Sequence, residues 1–206
     1  MKKWKIWQMP EDLTGKSFID IGCWEGEFCK QAVRRGATQV VGIDMCTSPQ
    51  LKQNIKEHKF DFIQMDIQSE KFLTLPRFDI VSFCGVLYHL ENPISALYRI
   101  RTICRQKLYI ESLISLKHQD SSMMEFFPGM PSRWWAPNQK CMEDMLRVTG
   151  FGDIKEAYFQ GEGKMGRLCL HAKPVKVGTF EKAAPRRPHR MELAGGTRDT
   201  GTPTDE

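Results

Sequence analysis

The sequence predicts an α/β fold, doubly wound on a mostly parallel seven-stranded sheet that ends in a C-terminal antiparallel hairpin. Three observations carry that prediction. From Ser17 to Glu111 short apolar runs alternate with helix-period segments, and such alternation builds right-handed βαβ units whose parallel strands are covered on both faces. After one further helix the alternation stops, and two strand-like runs follow with only Gln160–Gly166 between them, as in a hairpin. The chain has 206 residues, 41% of them hydrophobic, which leaves room for one such domain and not comfortably for two.

Each element has its own warrant. Ser17–Ile21 reads as the first strand and ends in Gly22-Cys-Trp-Glu-Gly26. A helix follows with Phe28, Cys29, Ala32 and Val33 on one face, closing at Gly36. Gln39–Ile43 is the second strand, ended by Asp44. Ser48-Pro49 opens a polar helix that turns Leu51 and Ile55 inward. Phe60–Gln64 is the third strand, followed by Asp66, and Phe78–Phe83 is the fourth. Asn92-Pro93 caps a helix running to about Ile103, and Lys107–Glu111 is the fifth strand. Leu113–Pro137 is long and irregular. A helix then spans Asn138–Thr149, and Ile154–Phe159 pairs with Arg167–Ala172.

Composition bounds the rest. Residues 1–175 hold the predicted domain. Residues 176–206 are rich in Pro, Gly, Thr and Arg with almost no apolar side chains, and are expected to form a disordered basic tail. The net charge is +5, with Lys2, Lys3 and Lys5 at one end and Arg186, Arg187 and Arg190 at the other. These read as solvated charge on flexible ends, or as weak electrostatic affinity for nucleic acid. Seven scattered cysteines without a Cys-x-x-Cys pair argue against a disulfide framework and a structural zinc site, and no metal is expected. No signal-peptide run and no stretch of ~18 apolar residues is found, so a soluble cytoplasmic protein without a membrane partner is expected.

In an open α/β sheet, ligands bind beyond the carboxyl ends of the strands, so those ends hold the candidate site. Gly22 and Gly26 let the first loop turn tightly and bring backbone N–H groups toward a ligand. Asp44 can accept both hydroxyls of a ribose. Asp66 and Ile67 suit an adenine amino group and ring face. The fourth strand leads into Cys84-Gly-Val-Leu-Tyr-His89, beneath the ligand's reactive end. Each could be an ordinary turn residue, but that account would have to repeat at four strand ends. A dinucleotide needs Gly-x-Gly-x-x-Gly. Counted from Gly22, its later glycine positions hold Trp24 and Glu27, a bulky ring and a negative charge where a pyrophosphate would lie. A sulfonium ligand has no pyrophosphate, and a nearby acid favours it.

Phe18-Ile-Asp-Ile-Gly-Cys-Trp-Glu-Gly26, with Arg35-Gly-Ala37 and Val41-Gly-Ile-Asp44, resembles the first two motifs of class I S-adenosylmethionine-dependent methyltransferases, which have a Rossmann-like fold. Phe78–Leu90 followed by Asn92-Pro93 is similar to the branch that includes the tRNA wobble-uridine carboxymethyltransferases, as are Ser132–Asn138 and Met145–Phe151. The resemblance covers roughly Asp12 to Ala172. It implies S-adenosylmethionine as cofactor, with Asp20, Gly22, Cys23 and Gly26 around its methionine part. Asp44 and Met45 would hold the ribose and adenine, Asp66 and Ile67 the adenine edge, and Gly85 the floor. About fifteen residues precede the first strand, so the N-terminal extension of the wobble-uridine enzymes is not expected, and the plain cofactor is expected rather than a carboxylated one.

For methyl transfer His89 is the candidate general base, with Tyr88 second, although both could simply pack beneath the cofactor. Arg133, Trp134, Trp135 and Asn138 are candidate acceptor contacts on the irregular segment, unless that segment only covers the sheet or a dimer partner. The expected activity is methyl transfer to a small-molecule or saccharide-like acceptor. tRNA is the alternative acceptor, and a non-catalytic cofactor-binding module is the third reading.

Overall fold

The computed structural model describes residues 2–130 and 132–175; the tail expected over 176–206 lies outside the described residues. Five strands come first, β1 Ser17–Ile21, β2 Gln39–Asp44, β3 Asp61–Gln64, β4 Phe78–Cys84 and β5 Cys104–Ser115. A small pair follows, β6 Met124–Phe126 and β7 Trp135–Pro137, and then the long hairpin of β8 Phe151–Glu162 and β9 Met165–Pro174. The helices are α1 Lys2–Ile6, α2 Glu27–Arg34, α3 Pro49–His58, α4 Pro93–Ile103 and α5 Gln139–Val148.

The main sheet has seven strands in the order β3-β2-β1-β4-β5-β9-β8. β1 to β5 are parallel, and β9 is inserted antiparallel between β5 and β8. Successive side chains of a strand face opposite sides, and the two cores follow that alternation. Ile19 and Val41 pack with Ala96 and Leu97 of α4 and Met142 of α5. Phe18 and Val40 pack with Trp4 of α1, Ala32 of α2 and Leu51 of α3. Both faces are covered, as in a doubly wound sheet.

Local chemistry sets the helix starts. Ser48 Oγ accepts from the Leu51 amide at 3.0 Å and Asn92 Oδ1 from the Ser95 amide at 3.0 Å, each with proline in the first turn. Strand order reverses on either side of β1, between β2 and β4, and the site lies at that switch point.

Four expectations change. The N-terminal lysines are exposed as expected, but they sit on a helix anchored by its tryptophans and not on a flexible end. Two tryptophans within the first seven residues carry too much apolar surface for a free end, and Trp4 is buried against Phe18 and Phe28 with the Arg35 guanidinium 4.5 Å from its ring. Trp7 stacks on Phe28, and its carbonyl accepts from His171 Nε2 at 2.8 Å. β5 runs beyond Glu111 to Ser115 because β9 pairs with residues 108 to 115. The expected loop over Gln160–Gly166 is mostly strand, turning at Gly163 with φ 61°. The segment expected to be irregular contains the β6–β7 pair, joined through Met124–Pro137, Glu125–Ala136 and Phe126–Trp135.

Candidate active site

A cavity of about 940 Å³ lies beyond the carboxyl ends of β1, β2, β4 and β5, with the α1 segment as one wall. The β1 loop folds over on itself. Gly22 has φ 75°, and a Cβ there would stand 2.3 Å from Val86 Cγ2, so only glycine lets this loop meet the one after β4. The Gly22 and Cys23 amides both donate to the Ile43 carbonyl, at 2.7 and 2.9 Å, and the Gly26 amide to Cys23 O at 2.7 Å. These N–H groups bind the protein instead of facing a ligand, which corrects the sequence expectation and removes the donors that a pyrophosphate needs.

Asp44 is the acidic end of β2. Its Oδ2 accepts from the Trp24 amide at 2.8 Å and its Oδ1 from the Cys46 amide at 3.0 Å. A carboxylate has about four lone-pair sites, so the two amides fix its plane and leave it able to accept two hydroxyls. Cys23, Met45, Ile67 and Gly85 also line the cavity. Asp20, Gly26 and Asp66 do not. Asp20 is buried beneath the loop with Oδ2 lacking a hydrogen-bond partner. Burial pushes its carboxyl up to about 7, opposed by the Ser82 hydroxyl and reinforced by the charge of Asp44. Gly26 begins α2 at φ 75°, where a Cβ would stand 2.5 Å from Phe60 Cζ, so its glycine serves packing. Asp66 closes its own turn by accepting from the Gln68 amide at 2.8 Å.

Tyr88 and His89 lie on a one-turn 3₁₀ segment after β4, and both line the cavity. His89 Nδ1 faces the Ser132 carbonyl, which can only accept, so Nδ1 carries the proton and Nε2 the lone pair. Burial lowers the His89 pKa; the Ser132 carbonyl opposes this, and the nearby charges of Arg133 and Arg167 add to it. Arg133, Trp134, Trp135 and Asn138 are absent from the cavity wall. The Trp134 amide donates to Tyr88 O at 2.8 Å, and Phe126 packs against the Trp135 ring. Trp134 therefore holds the Tyr88–His89 turn from behind, and Trp135 belongs to the β6–β7 pair. Asn138 is a correction: it is fully buried, its Oδ1 caps α5 through the Cys141 amide and its Nδ2 donates to His118 O and Ser121 O, so nothing remains for an acceptor.

Sequence reasoning missed two groups. Glu111 and Arg167 line the cavity as an ion pair, and α1 adds Lys2, Lys3, Trp4 and Trp7. The strand-end rule already used for Asp44 would have marked Glu111. Arg167 begins an antiparallel strand and carries no comparable signal.

Fold and site together define a doubly wound α/β protein with a nucleoside-type cavity and no pyrophosphate cradle. Residues 5–151 match the methyltransferase domain family, and the chain belongs to it. Its cofactor is S-adenosylmethionine. The residues present fit that group: Asp44 for two hydroxyls, Ile67 for an apolar ring, and open space above Gly85, where an added Cβ would have no neighbour nearer than 3.7 Å. Among the curated relatives is a tRNA U34 carboxymethyltransferase of Colwellia psychrerythraea (strain 34H / ATCC BAA-681), 30% identical over 161 residues, which are 74% of this chain and 50% of that protein. The chain spans about half the length of the curated relatives it matches. Among solved structures it is similar to the N-terminal domain of EvdMO1 with S-adenosylhomocysteine and D-fucose, at TM-score 0.64 and 16% identity over 84% of this chain and 80% of that one. It is also similar to magnesium protoporphyrin IX methyltransferase from Synechocystis PCC 6803 with bound S-adenosylmethionine, at TM-score 0.59 and 18% identity over 84% and 76%.

Proposed function

We propose that the chain methylates a small-molecule acceptor, with Asp44 holding the cofactor ribose and His89 taking the acceptor's proton where one must leave. The observation that carries this reading is the single cavity running from Asp44 to Arg167, roomy enough for a cofactor and a small acceptor side by side. When bound, the cofactor supplies a methyl group already activated on a sulfonium. The chain's part is alignment and exclusion of water, and alignment alone can contribute ~7–11 kcal/mol. His89 stays neutral at pH 7 with its Nδ1 proton fixed on Ser132, which leaves Nε2 as the proton acceptor.

A second reading, tRNA modification, is supported by the name of the U34 relatives and by Lys2 and Lys3 at the cavity wall. Calorimetric titration with S-adenosylmethionine, its carboxylated form and NAD tests the cofactor, and consumption of S-adenosylmethionine in the presence of candidate acceptors tests turnover. Plain cofactor should bind and NAD should not, and Asp44→Ala should weaken binding roughly ten- to hundredfold, as the loss of a charged hydrogen bond implies. A folded chain that ignores S-adenosylmethionine rejects the proposal. Preference for the carboxylated form, together with tRNA affinity that falls steeply with salt, would favour the second reading.

A further inference from the structure

Trp24 stands in the middle of the Gly22–Gly26 loop with a side chain that the fold does not use. It is 67% exposed, more than any other large apolar side chain among the described residues. Its backbone has φ 50°, in the left-handed region that glycine takes freely and a bulky side chain resists. The surrounding hydrogen bonds fix that conformation from both sides. The Gly22 and Cys23 amides are held on Ile43 O, the Trp24 amide donates to Asp44 Oδ2 at 2.8 Å, and the Gly26 amide donates to Cys23 O at 2.7 Å.

The position carries two costs at once, a strained backbone and a large apolar ring in water. A glycine or an asparagine would avoid both. Strain of this kind persists where the surroundings over-determine it, and it gathers at ligand sites. The ring lines the cavity, and so does Met45, which directly follows Asp44 and is 62% exposed. The Asp44 carboxylate thus has an exposed apolar side chain at either hand. In open water its hydrogen bonds to a ribose would have small net worth, because water competes for both partners. An apolar cover lowers the local dielectric and strengthens them. A tryptophan suits that task, since its wide flat ring has only two torsions to fix.

We propose that Trp24 is a cofactor-binding residue whose indole, with Met45 beside it, covers the nucleoside half of S-adenosylmethionine and shuts water away from the Asp44–ribose hydrogen bonds. The strained backbone is kept because it aims the ring at the cavity. This rests on the cofactor reading above.

The test titrates the full chain with S-adenosylhomocysteine and with adenosine, beside its Trp24→Asn, Trp24→Gly and Trp24→Phe variants. Asparagine and glycine accept the left-handed backbone without a ring, so both variants should melt no lower than the parent. Both should bind each ligand roughly tenfold more weakly, with the loss seen by stopped flow as faster release. The two ligands should lose the same factor, because they share the nucleoside. Trp24→Phe keeps a flat ring and should hold affinity within about threefold. Trp4 and Trp7, also in the cavity wall, are buried, so a ligand-dependent change in iodide quenching of tryptophan fluorescence reports on Trp24. Saturating S-adenosylhomocysteine should reduce that quenching in the unaltered chain and not in Trp24→Asn. Undiminished affinity in the folded Asn and Gly variants, or quenching that ignores the ligand, overturns the proposal. A loss confined to S-adenosylhomocysteine, with adenosine binding kept, moves the ring to the methionine half and overturns it too. So does a marked drop in melting temperature in both variants, which would make Trp24 a packing residue. Failure of the unaltered chain to bind S-adenosylhomocysteine is a separate result that rejects the cofactor reading, and this cover with it.

Discussion

Asp20 is the residue whose surroundings depart furthest from the motif that marks it. It is held at a carboxyl pKa of about 7 against 3.8 for an exposed aspartate. Between those values the folded chain keeps a proton that the unfolded chain gives up, so stability falls as pH rises from about 4 to about 7, by up to ~4 kcal/mol, and is level above. Asp20→Asn removes that penalty. The stability gap between variant and parent, from urea unfolding, should widen from pH 4.5 to pH 7.5; an equal gap at both would mean that the carboxyl titrates normally. His89→Ala should lower kcat ~10²–10⁴-fold if His89 is the base. The parent's acid limb, set by a histidine below its ordinary 6.5, should disappear from the variant's pH–rate profile. A loss of less than a few-fold would reduce His89 to a tether for Ser132. Asp44 and Gly22 were legible in sequence because strand ends reveal where a ligand must sit. That Gly26 packs against Phe60, or that Asp20 lies below the loop, was not, since both depend on contacts with other strands and helices.

At the level of elements, caps told more than hydrophobic pattern did. Ser48-Pro49, Asn92-Pro93 and Asn138 each start a helix where the sequence placed one, because capping is a matter of three or four adjacent residues. The length of β5 and the β6–β7 pair were hidden, because each depends on a distant partner strand. Asn138→Ala removes a cap and orphans two carbonyls, and should cost ~2 kcal/mol or more by denaturant unfolding while leaving cofactor affinity within about twofold. Trp4→Ala should cost ~3–5 kcal/mol. Because Trp4 also lines the cavity, calorimetry should show weaker S-adenosylmethionine binding; unchanged affinity would make α1 a structural brace alone.

Across the whole molecule, ligand and fold are linked. The cavity draws its wall from α1, β1, β2, β4, β5 and β9, so occupancy should hold the entire domain together and not one lobe of it. At a hundred times its dissociation constant, S-adenosylhomocysteine should add ~2.7 kcal/mol of stability. For a domain of this size that is a rise in melting temperature of roughly 5–10 °C. A shift under 1 °C at saturation would place the ligand on the surface instead. Within the described residues no helix is long and apolar enough to cross a membrane.

The inverted last strand has a consequence in time as well as in space. β9 runs against its neighbours, so the residues that enter it first, Met165 to Arg167, arrive at the same edge where β5 leaves off. The Glu111–Arg167 ion pair in the cavity wall is thus completed by a residue 56 positions after Glu111. During synthesis every other strand of the sheet emerges before β9 does. A nascent chain halted before residue 165 would already hold Gly22, Asp44 and His89, but not the guanidinium that pairs with Glu111, so the cavity wall is finished only when the last strand of the sheet is laid down.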